Sequence, residues 1–552
     1  MVGIILNQDI GNKTEVYTFH DSTEAIKWVN DLEDSTENFL HALISEMPYP
    51  LTIVFESDYV EKVFRDTYYT YFSRKFVSLP RNCQRLAFFK GEYKYEDFLN
   101  ADESSHYLMQ KSILGTITIK PTRITGSNCS MGRCLLNPYR FEKLEKYYFR
   151  TTSFKVSVLG TEYMIEAFPS SGQDGEMMSC SETCLWEIME YYGSRYGYYR
   201  TVLPSEIISS LDRIVKERVL PSQGLTYEEI TNLLKEFGFE PKVYSREAYL
   251  ETEFNHELTW EEMFHASEDK ISKYRKLFHC YVESAVPTIA GIRGLRGEGH
   301  SVVCIGHGSV AYERNVDNLQ YTERNGFKFL ESYQFVDEYV FVDDNRPFYT
   351  LERFDEYNDE NVAMEEDGIV SDSPTDSDNH RRKIVFFSAP LYKHVYMEAE
   401  GADLIFDGFL DLLEDYLPEL FQWCNGRYVI KRVYLATSNN YKHYHIVTAK
   451  ALDEKYYYSR SGYPKMIWVC ELADYQRWRS RDKNCVIGQI VLDATASNAE
   501  KFNGILEVRF GRHIARSLKK APLSDIFEQL QQEQDGWCDI LPYYYNNLKK
   551  GG

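Results

Sequence analysis

Gln173-Asp-Gly-Glu-Met-Met-Ser-Cys-Ser-Glu-Thr-Cys-Leu-Trp-Glu-Ile-Met-Glu-Tyr-Tyr192 is the stretch from which the fold of the middle of the chain can be read. Its apolar residues fall at Cys184, Leu185, Ile188, Met189 and Tyr192, the spacing of a buried helical stripe. Ser179 stands where an N-cap is wanted and Gly193 where a C-cap is wanted. A second helix fits Glu206 to Arg218. A third opens with the capping box Thr226-Tyr-Glu-Glu229 and stops at Gly238. Short strands then follow at Pro241 to Tyr244, Pro287 to Ile292, Ser301 to Ile305 and Tyr339 to Val342. Helices first and a clustered sheet afterwards predict an α+β domain over residues 164–352.

Three segments of that domain carry reactive residue types. Cys180 opens the predicted helix, where unpaired backbone N–H groups and the positive end of the helix dipole favour a thiolate. His300, in Gly299-His-Ser-Val-Val-Cys-Ile305, leads a buried strand. Asp343 and Asp344, in Tyr339-Val-Phe-Val-Asp-Asp-Asn345, end another. An imidazole beside a thiol needs an acceptor on its other nitrogen to fix its tautomer, and a carboxylate supplies one. Strand alternation puts Asp343 on the face shared with Phe341 and Asp344 on the opposite face, which favours Asp343 as that acceptor and leaves Asp344 as the alternative. Gln173 can donate a side-chain N–H to an oxyanion. Cys184, one turn after Cys180 on the buried stripe, reads as packing. His307 reads as a turn residue beyond the histidine strand. His443 and His445 read as neighbours on one face of a surface strand.

Gln173, Cys180, His300 and Asp343, taken in that order with Ser179-Cys-Ser-Glu-Thr-Cys-Leu-Trp186 and Gly299-His-Ser-Val-Val303, resemble the papain-like cysteine peptidases. The likeness is greatest to the branch of bacteriocin-processing, double-glycine peptidases and their bacterial relatives. It implies a cysteine that opens the central helix of a helical half, and a histidine with its Asp or Asn partner on a sheet half. It also implies hydrolysis of a peptide or isopeptide bond through an acyl-enzyme, a protein or peptide as substrate, and no metal or organic cofactor. The resemblance is confined to residues 164–352. Two features depart from the family: the gap from His300 to Asp343 is long, its insertion, Gly306 to Phe335, being expected to form a hairpin or flap over the site, and the branch's usual aspartate-proline reads Asp343-Asp344 here. The alternatives are a related acyltransferase and a scaffold that keeps the shape without turnover.

Outward from this domain, Asp355 to Asp378 carries ten acids and no Lys or Arg. Such a run predicts an acidic flexible linker at 353–381. It separates the middle domain from a C-terminal α/β domain at 382–552, and an N-terminal α/β domain at 1–163 precedes the middle one. Ile113-Leu-Gly-Thr-Ile-Thr-Ile119 and Val486-Ile-Gly-Gln-Ile-Val-Leu492 share a pattern that hints at related flanking units. The whole chain has 62 Lys and Arg against 84 Asp and Glu, a net charge of −22. That field repels phosphate backbones, no basic run offsets it, and no nucleic-acid partner is expected. The 44 tyrosines suit half-polar surfaces for a protein partner.

No apolar run reaches the roughly 18 residues of a spanning helix, so no membrane partner is expected. Eleven scattered cysteines predict reduced thiols in a cytoplasmic protein. Cys129 and Cys134 read as two thiols of one loop. The closing Gly551-Gly552 reads as a flexible tail.

Overall fold

The four strands read from the middle of the chain all enter one sheet. The computed structural model describes residues 13–30, 37–122, 131–254, 256–297, 299–324, 326–346, 349–358, 381–418, 427–497, 502–516, 521–534, 537–545 and 547–551. Across this sheet the order is Thr350–Arg353, Glu338–Val342, Gly299–His307, Thr288–Gly294, Arg381–Tyr392 and Tyr357–Asn358. Phe239–Ser245 pairs with the Arg381–Tyr392 strand as a branch of the same sheet. Every neighbouring pair along the sheet runs antiparallel. The chain is α+β, as the order of its elements predicted.

The helix Cys180–Arg195 packs against the histidine strand Gly299–His307. It is buried on several faces at once, including Ser181, Glu182, Thr183 and Glu187, so it is a core helix rather than an amphipathic surface one. Gly193 does not cap it. The helix continues to Arg195, and a Cβ at Gly193 would come within 2.4 Å of the Thr201 backbone nitrogen. The glycine therefore serves close approach of the next segment. Ser179 is the N-cap residue, yet its hydroxyl donates to the Glu182 carboxylate and accepts from no backbone N–H of the helix.

Three segments join sheets far from their place in sequence. Arg381–Tyr392, expected to open the C-terminal unit, lies between Thr288–Gly294 and Phe239–Ser245 in the central sheet. Its run of Ile384, Phe387, Ala389 and Leu391 is buried, which suits a strand covered on both faces. The insertion after the histidine strand is a hairpin, Thr322–Arg324 with Phe327–Glu331, but it is no flap over the site. Phe327–Glu331 pairs in parallel with Tyr428–Thr437 and so edges the C-terminal sheet. Lys549–Lys550 pairs with Tyr148–Phe149, which pairs with Gly306 and His307 of the histidine strand. The chain before Gly552 is thus an edge strand with a buried Gly551, not a loose tail; Gly552 lies outside the described residues. So do residues 359–380 of the acidic stretch. Asp355, at its start, accepts from both terminal nitrogens of Arg246 (2.6 and 3.2 Å) and from Lys383 (3.2 Å).

Apart from that parallel join, the flanking sheets are antiparallel meanders. Thr14–Phe19, Leu51–Tyr59, Cys83–Lys90, Ile113–Ile119 and Met131–Leu136 lie in chain order in the first. Tyr428–Thr437, Met466–Asp474, Asn484–Asp493, Ile505–Phe510 and His513–Arg516 do so in the last. Gly115 and Gly488 occupy matching places: each faces a bulky residue of the next strand, Leu136 or Phe510.

Gly306 is where Tyr148–Phe149 docks, and a Cβ there would stand 1.9 Å from the Tyr148 carbonyl oxygen. Backbone cannot swing aside as a side chain can, so Gly306→Ala should destabilise the protein by about 1–3 kcal/mol. Gly462→Ala, with open space around it, should change stability by less than about 0.5 kcal/mol. Equal unfolding midpoints for the two variants would show that the docking is not needed.

Candidate functional site

Cys180 is the first residue of its helix and is half-exposed. At that position its backbone N–H has no acceptor within the helix. His300 is the second residue of Gly299–His307, and its ring is largely buried. Cys180 stands near enough to the imidazole to support its charge. His300 Nε2 is 2.9 Å from Asp343 Oδ1. The structure therefore brings together the thiol, imidazole and carboxylate that the sequence singled out.

Asp343 follows directly on the strand Glu338–Val342 and is held on every side. Its Oδ1 also accepts from the Asn345 backbone N–H at 3.0 Å, and its Oδ2 accepts from the Tyr357 hydroxyl. Burial works against its charge, but His300, the Tyr357 hydroxyl and the Asn345 N–H outweigh it and hold the carboxyl well below its usual range. Burial likewise opposes a charged His300. Asp343 and Asp344 outweigh that too, and keep the imidazole well above its ordinary value.

Asp344 is a different kind of acid. Its Oδ1 is 3.4 Å from His300 Nε2, but neither of its oxygens accepts a hydrogen bond among the described residues. Burial, with the charge of Asp343 and against the pull of His300, pushes it up to about 7. Beneath the site, Glu187 is fully buried and accepts from the Ser171 N–H at 3.2 Å. Burial and the nearby Asp344 raise it well above the carboxylate range. Two carboxyls with raised values around one charged pair mark a dry, acid-rich pocket.

Gln173 is brought to this group, though on the histidine side. Its Nε2 donates to Asn345 Oδ1 at 2.9 Å, and Asn345 Nδ2 is 3.5 Å from His300 Nε2. One of its two amide hydrogens remains for another acceptor. Cys184 is fully buried, and burial with Glu187 keeps its thiol well above the ordinary range, as a packing residue requires. His307 is not in a turn. It ends the histidine strand, buried, with Nε2 3.2 Å from Glu283 and its ring stacked on Tyr148. His443 and His445 do not lie on a strand; they belong to the helix Ser438–Thr448. His445 packs between Tyr441 and Tyr458, and burial pushes it down to about 3. His443 is exposed. Cys134 is buried, and Cys129 lies outside the described residues.

Sequence reasoning missed four contributors. Tyr357 falls in the span assigned to the linker and carries no local signal. Asn345 directly follows the two acids and could have been weighed with them. Ser181 and Ser301 each follow a predicted reactive residue, and their hydroxyls meet at 3.0 Å, tying helix to strand beside the site.

One ligand atom each from His300, Asp343 and Asp344 lie within 4.8 Å of one another, a spacing that a cation could bridge. Asp343 is already engaged by Tyr357, Asn345 and His300, which leaves Asp344 as the acid with free lone pairs. Among the described residues no helix is long and apolar enough to cross a membrane. Comparison with protein-family models and with curated proteins finds no match to this chain, so the site is argued from its own geometry.

Proposed function

We propose that the chain is a papain-like cysteine peptidase that hydrolyses a peptide or isopeptide bond. The observation that carries this reading is the His300 imidazole, which has the Cys180 thiol as a neighbour and a fixed carboxylate, Asp343, 2.9 Å from its Nε2. Cys180 Sγ attacks the carbonyl carbon, and the oxygen takes up the electron pair. The Cys180 N–H is the donor suited to that oxyanion, since Gln173 is held to Asn345 on the carboxylate side of the ring. His300 gives its proton to the leaving nitrogen, and the C–N bond breaks. Water then adds to the thioester while His300 takes a proton from it, the C–S bond breaks, and the thiol side of the pair is restored. Asp343 fixes the ring and supports its charge throughout. Asp344 is the acid kept apart, protonated near neutrality rather than orienting the ring.

All nine cysteines among the described residues are free thiols, which suits a reducing compartment such as the cytoplasm.

Alkylation by iodoacetamide at pH 7 tests the thiol directly. Cys180 should react at least about tenfold faster than Cys538, the other half-exposed thiol among the described residues. His300→Ala should remove the advantage. Equal rates in the wild type would take away the basis of the reading. If a fast thiol transfers an acyl group to an added amine but not to water, the related acyltransferase reading replaces hydrolysis.

A further inference from the structure

The cysteine helix has a second end. Arg195 closes the 16-residue element that Cys180 opens, about 22 Å away at 1.5 Å per residue. There it borders a cleft of about 740 Å3 whose lining includes Arg150, Arg195, Lys442 and Lys465. An adjoining hollow of about 510 Å3 shares Arg150 and Arg195 and adds Lys549 and Lys550. Glu166 is the one carboxylate on either lining, and it already accepts from the Ser153 hydroxyl. Six cations facing one acid reverse the balance of a chain with 84 acids and 62 bases.

Among the described residues none of these six cations has a carboxylate within 4.0 Å. Neutral groups hold five of them instead, Lys549 lying over the Tyr139 ring at 4.3 Å. Arg150 donates to the Tyr196 hydroxyl (3.0 Å) and the Asn547 carbonyl (2.8 Å), and Arg195 to the Thr151 carbonyl (3.1 Å). Lys442 donates to the Ser461 carbonyl (3.1 Å), and Lys465 lies over the Tyr198 ring at 3.9 Å. Such contacts fix position and leave charge uncompensated. The first turn of the helix Ser438–Thr448 opens on the same cleft through Ser438, Asn439 and Asn440, adding the partial positive charge of a helix start. No basic run announces the site, because its cations come from five separate places in the chain.

We propose that this cleft binds a small ligand carrying two or more phosphate charges, at a site distinct from the thiol. A monocarboxylate would use one cation and leave the rest unmet. A nucleic-acid strand would leave the cleft and meet the field of a chain with net charge −22. A compact polyphosphate group draws on both walls at once, Arg150 and Arg195 on one and Lys442 and Lys465 on the other, and so links the central and C-terminal units.

Isothermal titration of the full chain with sodium pyrophosphate tests this, with ADP titrated in parallel. Pyrophosphate should bind, and added sodium chloride should weaken it. Arg195→Gln/Lys442→Gln/Lys465→Gln should bind at least about tenfold more weakly. Lys155→Gln, whose lysine pairs with Glu162 elsewhere, should bind as the wild type does. Circular dichroism checks that the triple variant is folded, and Lys442→Gln/Lys465→Gln serves if it is not. Tighter binding of ADP than of pyrophosphate assigns the site to nucleotides, and equal affinity assigns it to the phosphate group alone. Absence of heat with both ligands, or unchanged affinity in a folded variant, overturns the proposal.

Discussion

Cys180→Ala is expected to end turnover while leaving the protein folded. The sulfur is half-exposed and the Ser181 hydroxyl stands 4.0 Å from it, so little packing goes with it. Losing the nucleophile of a covalent mechanism typically removes about 10⁴–10⁶ of rate. The measurement is cleavage of a proteome-derived peptide library by wild type and variant, followed by mass spectrometry, with circular dichroism as the check on folding. Cys184→Ala is the contrasting change: it hollows a fully buried site and should lower stability by about 1–2 kcal/mol while keeping the chemistry. A Cys180→Ala protein that cleaves at the wild-type rate would remove the thiol from the mechanism. The cluster of His300, Asp343 and Asp344 would then be tested as a cation site by adding a chelator.

The second large effect separates the two acids. Asp343→Asn takes the carboxylate from His300 Nε2 and from the Tyr357 hydroxyl. It should lower kcat/KM by about 10²–10⁴, because the ring loses its orienting acceptor. It should also move the basic limb of the pH profile to lower pH, since Asp343 is the main support of the imidazolium. Asp344→Asn should cost less than about tenfold in rate and should change the pH dependence of stability instead. In the folded protein Asp344 keeps its proton up to about pH 7, against an ordinary value of 3.8. A raised carboxyl contributes stability that is fully present below the unfolded value and is lost as pH rises through the folded one. The wild type should therefore fall behind Asp344→Asn progressively between about pH 4 and 7, levelling at roughly 2–4 kcal/mol. Denaturant midpoints at a series of pH values read this directly. Parallel curves for the two proteins, or equal rate losses in the two variants, would contradict the division of roles.

The site was legible because each of its parts is local. A thiol at a helix start, a histidine at the head of an apolar strand and acids at the end of another announce themselves within a few residues. Asn345 was as visible as Asp343. Tyr357 was not, since nothing nearby distinguishes it from its acidic neighbours. His443 and His445 misread because a short stretch of tyrosines and polar residues fits a strand or a helix about equally, and the cap at Thr437 decides it for the helix. The sheet partners of Phe327–Glu331, Arg381–Tyr392 and Lys549–Lys550 were out of reach for another reason. Strand pairing is set by distant backbone and leaves no mark on the strand that joins.

Lys549–Lys550 and Arg381–Tyr392 both run in the sheet that carries His300, although they lie well beyond the region that holds the chemistry. The part that carries the proposed site is therefore no cassette. Cutting the gene to the span that looks like an enzyme would strip the histidine strand of one edge partner and leave Thr288–Gly294 with an open side, a template for aggregation. Recombination that swapped either flank would meet the same obstacle, so the parts of this chain are bound to be inherited together.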